Sequence, residues 1–218
     1  MESDNIELEL RRLEELAKDS AVGDTMYDKR SVIEKILEVG KHFQQTSYIS
    51  GGEVVELEPR IEEVLCTLWD ISVEEDVSMF YVQYGVLDIF VELFSNPNNR
   101  VKEIAAGVMS NMVFHREIFL KIIEKDTYLE SCIKLLEEKD SPTLIVVLRC
   151  LHSFGYNIFH ILNSEQYVRI KEDVKHFLSR FLVFLSLERV VNNLALIVAS
   201  CTNKDVLLNG SKFLSIMR

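Results

Sequence analysis

The sequence predicts an all-α fold, a short right-handed armadillo- or HEAT-like α-solenoid of about four irregular helical repeats. Three observations carry this. The 218-residue chain is 48% hydrophobic, enough for a large core, and only three prolines and eight glycines interrupt it. Apolar residues recur at helical rather than alternating spacing. Residues 87–94 also align with 129–136 at an offset of 42, which sets Asn98 over Asp140, Val101 over Thr143 and Met109 over Leu151. A period of that length belongs to armadillo and HEAT units, whose helices cannot cover their own apolar face and so stack on a neighbour.

In chain order, residues 6–18 read as a charged amphipathic helix with Ile6, Leu10, Leu13 and Ala17 on one face. Residues 1–22 are therefore an N-terminal helix or arm, and 23–218 the armadillo-like domain. Gly23-Asp24 breaks the pattern, and 31–45 forms the next helix with Val32, Ile33, Ile36, Leu37 and Phe43 turned inward. A Ser50-Gly51-Gly52 loop follows. Pro59 suits a first helical turn, after which Ile61, Val64, Leu65, Leu68 and Trp69 make an apolar stripe. Ser72 with Glu75 three residues on predicts a capping box for the next helix. Beyond the two aligned units, 173–185 and 189–201 form a further helix pair, with Val174, Phe177 and Leu178 over Cys132, Leu135 and Leu136. Residues 211–218 cover the apolar edge of the last unit.

Charge and cysteine usage narrow the function. A net charge of -11 argues against a nucleic-acid backbone as ligand, because phosphate binding needs clustered Lys and Arg. The charge is uneven. Residues 53–76 hold nine acids against Arg60 alone, whereas from Arg100 onward there are sixteen bases and thirteen acids. A preference for a basic or Arg-rich protein segment would thus reside in the first third. Cys66, Cys132, Cys150 and Cys201 are too widely spaced for a metal site and read as buried reduced thiols. With no leader pattern and no uninterrupted apolar span near 20 residues, neither secretion nor a membrane span is expected.

Several segments resemble the serum amyloid A-like (SAAL) family in the same order. They are Leu68-Trp69-Asp70-Ile71-Ser72 with Glu75-Asp76-Val77 and Asp88-Ile89-Phe90, then Lys102-Glu103-Ile104, Gly107-Val108-Met109-Ser110-Asn111-Met112, Ser141-Pro142-Thr143-Leu144 and Thr202-Asn203-Lys204-Asp205-Val206-Leu207-Leu208. The resemblance implies an armadillo-type fold and a nuclear or cytoplasmic protein linked to cell proliferation. It attaches no catalysed reaction and carries over no catalytic residues.

In armadillo arrays the third helix of each unit lines a groove in which side-chain amides hold an extended peptide. Asn111 resembles such an amide, and Asn192 and Asn193 fall near the matching place in the last unit. Import receptors carry a tryptophan four residues before each such asparagine. Gly107 stands there instead, and Ser153 occupies the next amide position, which argues against import-type recognition. The candidate protein-binding residues are Trp69, Glu74, Glu75, Asp76, Asn111, Arg149, His152 and Asn193, with Glu62, Thr67, Lys102 and Ser110 also placed toward the groove. Each has a plainer alternative. Trp69 can fill core, the Glu74 to Asp76 acids suit a helix N-terminus, and a buried amide normally finds an internal partner.

Catalytic signatures are missing. His42, His115, His152, His160 and His176 are scattered, Cys150 and His152 point to different faces of one helix, and Gly51-Gly52 lacks the Lys-Ser/Thr of a phosphate loop. The expectation is a non-enzymatic protein-binding scaffold of the nucleus or cytoplasm, without cofactor or metal, supporting cell proliferation through its partners. The alternative is a helical enzyme or small-molecule module, which would show a deep enclosed pocket lined by His152 rather than an open groove.

Overall fold

The computed structural model describes residues 21–46, 49–50 and 53–216, so the helix expected over 6–18 lies outside the described residues. The described residues form eleven α-helices and one two-residue hairpin, in two compact units that meet in sequence between Met112 and Val113. The fold is all-α and armadillo-type.

The first unit opens with α1 (Lys29–Gln45). It begins two residues before the sequence pattern suggests, because the Asp28 carboxylate accepts a hydrogen bond from the Ser31 amide at 2.8 Å and caps the helix. Val32, Ile33, Ile36 and Leu37 are buried as expected, while Phe43 is only half-buried. β1 (Ile49–Ser50) and β2 (Glu53–Val54) pair antiparallel, and Gly51 and Gly52 of the expected loop lie outside the described residues. Pro59 starts α2 (Pro59–Ile71), which buries Ile61, Leu65, Leu68 and Ile71 and leaves Trp69 half-buried. Then come α3 (Glu75–Gln83), α4 (Val86–Leu93) and α5 (Asn99–Phe114), whose last two residues belong to the second unit.

The expected capping box is not formed. Ser72 closes α2 instead of opening α3: its hydroxyl donates to the Trp69 carbonyl at 2.6 Å, and Glu74 precedes α3 without a side-chain cap. The buried Ser78 hydroxyl donates in turn to the Ser72 carbonyl at 2.7 Å, and Tyr81 Oη to that of Leu68 at 3.1 Å. These bonds hold the end of α2 against α3. Gly85, at φ 69°, turns the chain from α3 into α4 in a conformation that a side chain would disfavour.

The second unit contains α6 (Arg116–Ile122), α7 (Asp126–Lys134) running into a 3-10 turn (Leu135–Glu137), α8 (Ser141–Asn163), a second 3-10 segment (Glu165–Ile170), α9 (Lys171–Leu185), α10 (Glu188–Ser200) and α11 (Lys204–Ile216). The 42-residue repeat is physical. Residues 87–94 and 129–136 agree in burial class at every position except Ile89 with Ser131 and Val91 with Ile133. The loops agree as well. Asn98 Oδ1 accepts from the Arg100 and Val101 amides at the start of α5, and Asp140 Oδ2 from the Thr143 amide at the start of α8.

Phe119, Phe154, Phe177, Phe181 and Phe213 are almost fully buried and tie α6, α8, α9 and α11 into one core. Phe154 and Phe177 stack at 5.8 Å, and Phe119 meets Phe177 edge-on at 6.1 Å. The 23-residue α8 is long and apolar enough to cross a membrane by length and composition, although Arg149, His152 and Asn157 interrupt its apolar run. About two thirds of its most apolar stretch (67%) is buried inside the protein, as in a core helix. The cover expected from 211–218 comes from α11, which starts at Lys204. There Gly210 faces Leu148, and Ile216 lies against Gly155.

Candidate protein-binding surfaces

In the first unit the exposed faces of α2 and α5 meet around Trp69. A Cβ on Gly107 would stand 2.1 Å from Trp69 Cε2, so the absence of a side chain at 107 is what seats the indole against α5. Asn111 lies one helical turn further along. Its Nδ2 donates to the Trp69 carbonyl at 3.2 Å and to Ser72 Oγ at 3.1 Å, which fastens α5 to the end of α2.

Arg100 carries charge across the same pair of helices. Its guanidinium donates to Glu62 and Glu103, both at 2.7 Å, and to Cys66 Sγ at 3.4 Å. Burial pulls its pKa down, but the two carboxylate hydrogen bonds outweigh that and raise it overall. Cys66 is half-buried rather than buried, and burial still pushes its thiol up despite Arg100. Thr67 donates to the Glu63 carbonyl, whereas Lys102 and Ser110 are buried instead of lining the face.

Glu74, Glu75 and Asp76 are all exposed. Asp76 Oδ2 accepts from the Asp24 amide at 2.7 Å and so holds the 22–25 turn. Glu63, Asp70, Glu74 and Glu75 project into solvent without a salt bridge among the described residues. The first unit therefore joins a half-buried indole to a margin of carboxylates.

In the second unit, Arg149 is exposed and His152 half-buried on one face of α8, while Cys150 points into the core. Burial holds His152 below the usual histidine range and Lys212 on α11 adds to the depression, so the folded chain favours the neutral ring. The second unit should accordingly lose stability as pH falls through the ordinary histidine value, where the unfolded chain takes up the proton first. Lys212→Gln should raise the His152 pKa toward that value, as read from its ring protons in an NMR titration. Asn193 sits on α10, away from the α8 face, because α11 rather than α10 lies along α8.

Two clefts of the second unit bear on the small-molecule alternative. One, of about 470 Å³, is bordered by Glu117, Lys121, His176 and Arg180; the other, of about 420 Å³, by Leu185, Val191, Leu194 and Phe213. Both are open and neither includes His152. Among the described residues no three His, Cys, Asp or Glu side chains gather as metal ligands would. Two structural residues escaped the sequence reading. Arg100 bridges 38 residues back to Glu62, and the buried Asn157 donates to the Val113 carbonyl at 2.7 Å. A polar residue inside an apolar helical stripe was the available signal for Asn157.

Comparison with known proteins agrees with this architecture. The Armadillo/beta-catenin-like repeat family model matches residues 80–114, which run from the end of α3 through α5. Over 143 residues the chain is 29% identical to protein SAAL1 of Mus musculus. The chain is thus similar to the SAAL1 proteins over part of its length. That match covers 63% of the chain and 30% of the mouse protein, and the human SAAL1 protein is 28% identical over 141 residues, again 30% of its length. The matched segment is thus about a third of each SAAL1 relative. A crystal structure of an engineered protein superposes over 96% of the chain and 90% of its own length, at 14% identity and a TM-score of 0.51. The repeat match and the superposition both support an armadillo-type helical-repeat fold.

Proposed function

We propose that the chain is a non-catalytic protein-binding scaffold that captures a basic or Arg-rich segment on the α2 and α5 face of its first unit, acting in the nucleus or cytoplasm in support of cell proliferation. The observation that carries the reading is Trp69, seated over Gly107, on a helix that exposes Glu63 and Asp70 and is followed by the exposed Glu74. A guanidinium can lie on the indole face while its neighbours meet the acids, and the charge speeds encounter more than it adds affinity. Asn111 supports the site from beneath, since its amide nitrogen serves α2.

The test is fluorescence anisotropy with a labelled nona-arginine peptide at low ionic strength. Reversing Glu63, Asp70 and Glu74 together to lysine should weaken capture about tenfold or more, while the melting temperature stays near that of wild type because all three are exposed. Equal affinity for the two proteins would remove this surface from the mechanism. The cell-level role is tested by imaging the tagged chain and by measuring proliferation after its loss.

A further inference from the structure

The accessible side of α8 has a composition unlike the rest of this acidic chain. Arg149, His152, Tyr156, Phe159, His160 and Asn163 fall within one stripe of the helix, and the residues between them are buried except the half-buried Leu162. Tyr156 is 47% exposed and Phe159 63%, large apolar surfaces that the second unit leaves outside its core. The helix carries no acid anywhere between Ser141 and Asn163, and Lys212 on α11 adds a further cation beside His152. Arg149 and Lys212 thus stand at one end of two open aromatic rings and the His160 imidazole at the other, with Tyr156 and His160 6.1 Å apart between ring centres.

We infer that this α8 face is a second docking surface and that its occupant is an acidic peptide segment with an apolar or aromatic residue between its carboxylates. Charge complementarity sets the sign: Arg149 and Lys212 attract carboxylates and repel the basic segment assigned to the first unit. The aromatic pair sets the middle of the sequence. From Arg149 to His160 the helix rises about 16 Å, the reach of roughly five extended residues, so one carboxylate can pair with Arg149 and a second accept a hydrogen bond from the His160 ring while a side chain packs on Tyr156 and Phe159. This surface is independent of the Trp69 site, and a single chain could bring together two partners of opposite charge.

Two labelled ten-residue peptides test this on the full chain, one alternating aspartate with phenylalanine and one alternating lysine with phenylalanine. The aspartate peptide should bind saturably, and Arg149→Glu should weaken it about tenfold, with the melting curve recorded alongside because the guanidinium is partly desolvated. Phe159→Ser, a second exposed position, should weaken it by a similar factor. The triple reversal in the first unit should leave the aspartate peptide bound, so failure of one surface is read apart from failure of the other. Equal binding of the two peptides, or no effect of either substitution, would overturn the inference. So would capture of phosphatidylserine vesicles with no peptide binding, or self-association in sedimentation velocity that Arg149→Glu abolishes while the peptide stays free.

Discussion

Phe177→Ala should destabilise the second unit by about 3–5 kcal/mol, the cost typical of deleting a large buried aromatic side chain. Phe177 is 1% exposed and stands at the centre of the cluster, within 6.2 Å of Phe119, Phe154 and Phe181. Its removal opens a cavity that touches α6, α8 and α9 together, and none of these can close it alone. Much of the unit's stability is at stake, given the 5–15 kcal/mol typical of whole domains. Urea unfolding followed by circular dichroism should show an early transition, while Trp69, in the first unit, reports a later one. A single transition, unshifted from wild type, would show that the phenylalanine cluster does not hold the second unit.

Gly107→Ala should destabilise the first unit by about 1–3 kcal/mol, although alanine is the better helix former by about 1 kcal/mol. The packing term wins because the new Cβ would meet three atoms of a rigid indole, at 2.1, 2.4 and 2.5 Å, and the whole ring must leave its seat. Trp69 is the only tryptophan, so its emission should shift to the red as it becomes more exposed. In a Trp69→Ala background the same Gly107→Ala change should become neutral or stabilising, because only the helix preference remains. A destabilisation that persists without the indole would disprove the seating of Trp69 on Gly107.

Much of the architecture was legible in the chain. The 42-residue offset placed equivalent caps at Asn98 and Asp140, since a loop that ends a repeat must also start a helix with a side-chain acceptor. The helix pair expected over 173–185 and 189–201 is also formed, as α9 (Lys171–Leu185) and α10 (Glu188–Ser200). Helices α5 and α8 start 42 residues apart, at Asn99 and Ser141, whereas α10 starts at Glu188, 47 beyond α8, because the Glu165–Ile170 segment intervenes. Asn193 lies on α10, while α11 rather than α10 packs along α8. Ser72 misled for a local reason. A serine followed three residues later by glutamate fits a helix start, yet its αR backbone closes α2 and its hydroxyl turns back to Trp69.

The candidate site was legible in type more than in arrangement. Trp69 and Asn111 were singled out one by one, and they do share a face, but the hydrogen bond between them crosses 42 residues and no local pattern reports it. Arg100 was hidden for the same reason, since its partners Glu62 and Cys66 lie on another helix. Gly107 stands where an import receptor carries a tryptophan, and in the folded chain it makes room for the Trp69 indole.

The central claim, that the Trp69 face of this helical scaffold receives a basic segment, is tested most directly by the emission of that tryptophan during titration with an arginine-rich peptide. The account predicts a saturable change at low salt that the Glu63, Asp70 and Glu74 reversal abolishes. An unchanged spectrum at peptide concentrations that anisotropy shows to be saturating would place the partner elsewhere on the chain.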